Sequence, residues 1–203
     1  MTEKQRDFSR KYKVKKKYQL NEFLDFVKDK EERYELINGR IYMMASPNVA
    51  HQDAALFIGS KLRDYLNGKK CRVFMSPLDV VLFKKEKEKS NNVFQPDVFV
   101  VCDPSKISKN RIYGAPDLVF EIVSPSSETH DYFKKFGLYM KYGVKEYWIV
   151  NPETKQIFVN INSGQIENEN EDETVKYSFD DNIKVGIFDD FYIDFKELKI
   201  EAD

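Results

Sequence analysis

Two short apolar segments constrain the fold of this chain more than any other feature. Residues 97–101 read Asp-Val-Phe-Val-Val, and residues 118–123 read Leu-Val-Phe-Glu-Ile-Val. Polar and apolar residues do not alternate in either segment, which is typical of strands covered on both faces. The chain therefore needs a sheet with further layers on both sides, and we expect an α/β fold.

The spacing of the other apolar residues predicts the remaining elements. Helical periodicity predicts three helices, over residues 18–28, 50–66 and 131–142. Asn38-Gly39, between two apolar runs, predicts the tight turn of a β-hairpin over residues 34–44. Further strands are predicted over residues 71–83 with a break near Pro77, and over 146–150, 156–162, 177–179 and 183–185. We therefore predict a mixed central sheet flanked by helices, with additional peripheral antiparallel strands.

Length and charge suggest how the chain is divided. With 203 residues, it fits one domain over residues 18–203, preceded by a basic, flexible arm over residues 1–17. This arm is either a solvated tail or a segment that grips phosphate groups. An acidic loop is expected over residues 167–173. The formal net charge of −1 gives no overall attraction to nucleic acid, so any affinity for phosphate depends on local patches.

Cysteine usage and hydropathy lead to an expected compartment. Cys71 and Cys102 lie in apolar segments and form no metal-ligand pattern, so two buried, reduced thiols are the simplest interpretation. The sequence contains no apolar signal-peptide core and no run long enough to span a bilayer. We therefore expect a cytoplasmic protein that does not associate with membranes.

Two acidic residues in the apolar segments are candidates for chemistry. Glu121 lies among Phe, Ile and Val in a segment expected to be buried. An unpaired charge there costs roughly several kcal/mol, so the Glu121 side chain must contact a cationic side chain, a hydrogen-bond donor or a metal ion. A structural ion pair is the alternative to a functional role. Asp97 begins its strand directly after Pro96, and it either belongs to a site or merely terminates the strand.

One lysine of the third predicted helix is a candidate for the same site. On a helical wheel, Lys134 and Lys141 fall on the solvent side, whereas Lys135 falls beside Tyr139 at the edge of the apolar face. Lys135 is therefore the helix lysine that can point inward. The alternative is a side chain that extends along the apolar face to reach water.

Several motifs between residues 34 and 152 resemble a known family. They are residues 34–40, Ser46-Pro47 with His51-Gln52, Pro96-Asp97, residues 116–127, Asp131 with Lys135 and Tyr139, and residues 143–152. Their order and residue types resemble the Uma family of the PD-(D/E)XK nuclease superfamily, which includes restriction endonucleases. The resemblance covers more than half of the chain and implies a restriction-endonuclease-like core.

The resemblance also implies an active site. Asp97 and Glu121 would be the two metal-binding acids, joined by a backbone carbonyl such as that of Ile122, and Mg²⁺ or Mn²⁺ would be the cofactor. Val123 stands where many superfamily members keep a lysine, and Lys135 on the following helix matches the position to which the family has moved it. Lys135 would then orient the nucleophile or stabilise the charge of the transition state.

Three further residues are second-tier candidates. His51 is either a satisfied core histidine or a contributor to the site, while Glu35 is expected to support the hairpin and Asp117 the entrance of its strand.

The function implied by the resemblance is metal-dependent hydrolysis of DNA phosphodiester bonds. A homodimer would suit that reaction, because both strands of a duplex must be cut. One alternative is a catalytically silent module that keeps the fold and binds nucleic acid or a protein partner. Another is a phosphodiesterase acting on small nucleotides.

Overall fold

The computed structural model describes residues 16–123, 129–162 and 174–200. For residues 129–134 only the backbone is considered. Most of the predicted basic arm and all of the predicted acidic loop lie outside the described residues, so both stay predictions. The proposed domain boundary at residue 18 also stays a prediction.

The predicted helices are present, with ends within a few residues of those expected. They are α1 Leu20–Val27, α2 Val49–Tyr65 and α3 Thr129–Tyr142. The side chain of Asn48 caps α2 by accepting a hydrogen bond of 2.9 Å from the backbone N–H of His51. Gly143 follows α3 with φ of 95°, a conformation that glycine adopts without a steric penalty.

The strands of the described residues form two larger sheets and one small one. The strands are β1 Tyr34–Ile37, β2 Arg40–Met43, β3 Arg72–Met75, β4 Asp79–Val81, β5 Val93–Phe94, β6 Val98–Val101, β7 Arg111–Tyr113, β8 Leu118–Ile122, β9 Glu146–Asn151, β10 Gln156–Ile161, β11 Thr174–Ser178, β12 Asn182–Lys184 and β13 Tyr192–Asp194. The first sheet has the order β11-β10-β9-β8-β6-β3, the second β2-β1-β5-β4-β7, and the third pairs β12 with β13.

The six-stranded sheet is mixed and covered on both faces, as predicted. Strand β8 pairs antiparallel with β6 and parallel with β9. On one face, Ile58 and Leu62 of α2 pack with Phe120 of β8 in a buried cluster. On the other face, Tyr139 of α3 packs with Val119 of the same strand. The central strands are mainly apolar because neither face contacts water, and Glu121 is a buried acidic exception in β8.

The five-stranded sheet packs on the same side of the central sheet as α3. Ile37, Val80 and Phe94 from this second sheet share one buried cluster with Tyr139. The sequence predicts its β1-β2 hairpin, and Asn38 and Gly39 adopt the expected positive φ angles of 49° and 79°. Strands β5 and β7 were not predicted, because they are only two and three residues long and depend on pairing with distant segments.

The expectation of two reduced thiols is wrong in this structure. Cys71 and Cys102 form a disulfide across a sequence separation of 31. Because β3 and β6 pair with Arg72 opposite Val101, the two cysteines lie opposite each other just beyond the ends of these strands. Their adjacency follows from strand register, which the sequence alone does not display.

No helix in the described parts of the chain is both long enough and apolar enough to cross a membrane.

Candidate active site

Asp97, directly before β6, lies opposite Glu121 of the neighbouring strand β8. The register of β6 with β8 pairs Val98 with Phe120, and the next position along places Asp97 against Glu121. The backbone N–H of Ile122 donates a hydrogen bond of 2.7 Å to Asp97 Oδ2. Both side chains are buried, with 8% and 3% of the residue exposed. The structure therefore brings the two predicted acids together.

Lys135 reaches this pair of acids from α3. Its Nζ lies 3.5 Å from Glu121 Oε1, and only 11% of its side chain is exposed. The side chain points inward, which was one of the two orientations that the helical wheel left open, and does not extend to water. Its closest partner is a third carboxylate, that of Glu35, at 2.8 and 2.9 Å from its two oxygens.

Glu35 belongs to the same cluster, although the sequence suggested only support of the hairpin. It lies on β1 and points to the same side as Ile37, toward the cluster that contains Tyr139. Besides Lys135, its Oε1 accepts a hydrogen bond of 3.0 Å from the backbone N–H of Gln95. The second sheet thus contributes an acid to a site built mainly on the first.

Tyr139 is a site residue to which the sequence analysis gave no role, although it named Tyr139 beside Lys135 and among the family's motif residues. Its hydroxyl donates a hydrogen bond of 3.0 Å to Glu121 Oε1. Tyr139 follows Lys135 by four residues, so both side chains lie on one face of α3. This spacing was visible in the sequence, but the partner of the hydroxyl was not.

Of the two remaining second-tier candidates, His51 contacts the site and Asp117 does not. His51 Nε2 lies 3.2 Å from Asp97 Oδ2, so this histidine contacts the site. Its Nδ1 is buried and has no hydrogen-bond partner among the described residues. Asp117 does not join the site, because its oxygens accept from the backbone N–H of Cys102 and from Lys145, each at 2.8 Å. It supports the entrance of β8, as the sequence suggested.

The charges of the cluster do not balance. Three carboxyl groups, from Glu35, Asp97 and Glu121, surround one ammonium group, so ionisation of all three would leave an excess of negative charge. Burial raises the pKa of Glu121 to about 8, helped by Asp97 and Glu35 and opposed by Lys135 and the Tyr139 hydroxyl. Burial alone would lower the pKa of Lys135, but attraction to Glu121 and Glu35 outweighs it and raises the pKa. A further positive charge would stabilise this arrangement.

The donor set is compatible with a hard divalent cation. In the hydrogen bonds of the described residues, Asp97 uses Oδ2 and Glu121 uses Oε1, so each has a second oxygen for a cation. Within those same parts of the chain, no three side chains of His, Cys, Asp or Glu are grouped to hold a metal. Two carboxylates completed by a backbone carbonyl and water suit Mg²⁺, which keeps several waters when bound.

Comparison with a solved structure defines the class of fold. A crystal structure described as "a putative nuclease belonging to DUF820", from Anabaena variabilis ATCC 29413, has the same fold with a TM-score of 0.72. The similarity covers 89% of this chain and 97% of that chain, at 20% sequence identity. The class is therefore an α/β protein with the fold of that structure, and the predicted fold class is confirmed.

The family follows from the sequence match. Residues 20–182 match the Uma2 family, described as "Putative restriction endonuclease". The chain belongs to this family, as its motifs predicted. It is also 30% identical over 118 residues to the uncharacterized protein slr1290 of Synechocystis sp. PCC 6803. That match spans 58% of this chain and 60% of the relative's length.

Proposed function

We propose that this protein is a metal-dependent endonuclease that hydrolyses phosphodiester bonds in DNA. The observation that carries the proposal is the buried contact of 3.5 Å between Lys135 Nζ and Glu121, with Asp97 opposite Glu121 on the next strand. Two acids and one lysine are the groups that this chemistry needs. Membership of a family described as "Putative restriction endonuclease" supports the same class of reaction.

Mg²⁺, or Mn²⁺ in its place, would be held by Asp97, Glu121 and the backbone carbonyl of Ile122. When bound, the cation activates a water molecule and polarises the scissile phosphate. Ile122 is suited to this role because its backbone lies next to Asp97: its N–H donates a hydrogen bond of 2.7 Å to Asp97 Oδ2. The raised pKa of Glu121 means that its carboxylate is available only once a proton has left, and a cation beside it favours that loss.

Lys135 acts as a fixed positive charge. Because its pKa is raised, it remains an ammonium group at neutral pH and cannot serve as the base that takes a proton from water. Its role is to stabilise negative charge that develops on the phosphate. The two oxygens of Glu35 hold this ammonium in place, which limits its motion before the substrate arrives.

Tyr139 and His51 position the two acids. The Tyr139 hydroxyl fixes one oxygen of Glu121, and His51 contacts one oxygen of Asp97. Each acid thereby keeps its other oxygen oriented for the cation. Held carboxylates lose less conformational entropy when they bind than mobile ones.

Cleavage of supercoiled plasmid tests the proposal. Wild type, Glu121→Gln and Lys135→Ala are compared with Mg²⁺, Mn²⁺ or EDTA. Lys145→Ala is the matched control, since Lys145 pairs with Asp117 at 2.8 Å outside the site. We expect metal-dependent cutting that falls about 100-fold or more in both site variants and stays within about twofold in the control. Cutting that survives both site substitutions would contradict the assignment.

A catalytically silent module is the second candidate, and one distance favours it. Lys135 lies closer to Glu35, at 2.8 Å, than to Glu121, at 3.5 Å, as a purely structural ion pair would. A wild-type protein that binds DNA but cuts none with either metal would establish this candidate. In that case Lys135→Ala would lower stability without affecting any reaction.

A further inference from the structure

Arg33 carries a positive charge that no ion pair balances among the described residues. Its guanidinium donates hydrogen bonds to two neutral oxygens, the Ser76 hydroxyl at 2.9 Å and the backbone carbonyl of Ala45 at 3.4 Å. These contacts use two of the five N–H donors of an arginine. Arg33 is half-buried, and a charge that is partly removed from water without a counter-charge is unfavourable. The remaining donors are therefore suited to an anion.

Strand geometry places Arg33 on the side of the second sheet that faces the candidate active site. Arg33 precedes Glu35 by two residues, and its carbonyl accepts a hydrogen bond of 2.8 Å from the backbone N–H of Met44, which continues the pairing of β1 with β2. Side chains two residues apart along a strand point to the same side. Arg33 therefore points to the side on which Glu35 contacts Lys135.

Ser76 connects Arg33 to the row of residues that contains the two acids. It directly follows β3, and its backbone N–H donates a hydrogen bond of 3.1 Å to the carbonyl of Asp97, so these two residues lie opposite each other. Asp97 in turn lies opposite Glu121, and opposite residues in neighbouring strands point to the same side. Ser76, Asp97 and Glu121 thus form one row across three strands. Arg33 contacts the end of this row that lies at the edge strand of the sheet.

Arg33 and Lys135 are positive groups with different access to solvent. Only 11% of the Lys135 side chain is exposed, and carboxyl groups contact its ammonium. Arg33 is half-buried, and its neighbours Ala45 and Pro77 are exposed. Lys135 is therefore placed for the phosphate that reacts between the acids, whereas Arg33 is placed for a phosphate that lies farther out.

We propose that Arg33 binds a phosphate of the substrate strand next to the phosphate that is cleaved. The inference rests on the proposed function for the position of the cut. The N–H fork of a guanidinium matches two oxygens of a phosphate, and a nucleic-acid strand carries a phosphate at every nucleotide. The substrate is therefore a polynucleotide strand, in which a second phosphate lies beside the cut. A small nucleotide with a single phosphodiester would leave Arg33 without its ligand.

The alternative role for Arg33 is purely structural, to hold the start of β1 against Ser76. That role depends on hydrogen bonds to neutral oxygens and not on the charge of the guanidinium. Substitution by lysine separates the two roles. Lysine keeps the positive charge that attracts a phosphate but lacks the planar fork that donates to two oxygens at once.

Binding of a fluorescein-labelled duplex of about 16 base pairs to the full chain in EDTA tests the contact without cleavage. Fluorescence anisotropy between about 50 and 200 mM KCl gives the affinity and its salt dependence for wild type, Arg33→Ala and Arg33→Lys. Arg63→Ala is the matched control, because Arg63 is an exposed arginine in the last turn of α2, whereas His51 of the site lies in the first turn.

We expect Arg33→Ala to weaken binding about tenfold and to reduce the slope of log affinity against log salt by about one, the effect of losing one phosphate contact. Arg33→Lys should keep the wild-type slope, and Arg63→Ala should keep both affinity and slope. An unchanged slope in Arg33→Ala would overturn the proposal, and so would an Arg33→Lys variant that behaves as Arg33→Ala. Absence of salt-dependent binding by wild type would overturn it as well.

Hydrolysis of bis(4-nitrophenyl) phosphate with Mn²⁺ tests the substrate class. This compound has one phosphodiester and no neighbouring phosphate. We expect Arg33→Ala to lower kcat/KM for plasmid about tenfold, mainly through KM, and to leave hydrolysis of the small compound within about twofold of wild type. Equal losses on both substrates would overturn the proposal, since a structural defect would affect both reactions alike.

The outcome can be separated from that of the proposed function. Salt-dependent binding that requires Arg33, without plasmid cleavage by wild type with either metal, would refute the nuclease and leave the phosphate contact intact. Plasmid cleavage that is lost in Glu121→Gln and Lys135→Ala but unchanged in Arg33→Ala would refute the phosphate contact and leave the nuclease intact.

Discussion

Lys135 Nζ lies 2.8 Å from a carboxylate oxygen of Glu35, on a strand that precedes it by 100 residues. This contact joins α3, which packs on the central sheet, to β1 of the second sheet. Lys135 is therefore held by a strand of the second sheet, whereas Asp97 and Glu121 lie on the central sheet. Replacing Glu35 should change the position of Lys135 more than the positions of Asp97 and Glu121.

Replacing Glu35 by Gln tests this positioning role. The variant removes one charge that fixes Lys135, so we expect plasmid cleavage to slow about tenfold while affinity for duplex DNA stays unchanged. Glu86→Gln, an exposed acid paired with Lys89 at 2.9 Å, is the control and should behave as wild type. If cleavage by Glu35→Gln were as fast as wild type, Glu35 would have no role beyond the hairpin.

The pKa of Glu121 predicts how stability depends on pH. Its folded-state value of about 8 lies above the ordinary value of 4.5, so the folded protein keeps a proton that the unfolded chain has lost. This contribution is fully present below about pH 4.5 and is lost as the pH rises through about 8, by at most about 1.4 kcal/mol per pH unit. Glu121→Gln removes it.

Urea unfolding of both proteins in EDTA, between pH 5.5 and 9, measures the effect. The free energy of unfolding of wild type should fall relative to that of Glu121→Gln across this range. Added Mg²⁺ should stabilise wild type more at pH 9 than at pH 6, since the cation takes the place of the proton. A difference between the two proteins that is constant with pH would contradict the prediction.

Tyr139→Phe removes a single hydroxyl from the site. Glu121 then loses a hydrogen bond of 3.0 Å, and we expect slower cleavage, by about tenfold, with a loss of stability of about 1–3 kcal/mol. Tyr142→Phe on the same helix is the matched control, because its hydroxyl accepts from Asn92 at 3.2 Å, away from the acids. Equal cleavage rates for the two variants would show that Tyr139 serves packing alone.

The Cys71–Cys102 disulfide should be measurable in the purified protein. No thiol should react with a thiol reagent before reduction, and two should react after reduction and unfolding. Because the bond closes a loop of about 31 residues, the double variant Cys71→Ser with Cys102→Ser should lose about 3–4 kcal/mol of stability. Two reactive thiols in the untreated, unfolded protein would restore the expectation made from the sequence.

The residues of the candidate site were predicted unequally well. The helical wheel identified Lys135 as the helix lysine able to point inward, since both the lysine and the apolar face belong to one helix, but it left open whether the side chain reaches water instead. Their place in apolar segments made Asp97 and Glu121 candidates, and resemblance to the Uma family implied that they bind a metal together; the register of β6 and β8 places them opposite each other. Glu35 was assigned to the hairpin, because its partner lies on an element 100 residues away. Their catalytic roles stay predictions.

The sequence by itself determined the local structure of this protein: the three helices, the Asn38-Gly39 turn and the buried character of the central strands. Each depends on neighbours within a few residues, so periodicity reveals it. Only the tertiary structure decided that Glu35 meets Lys135, that Tyr139 meets Glu121, and that the two cysteines are joined. These contacts require a particular strand register and packing of distant segments, which no local pattern encodes.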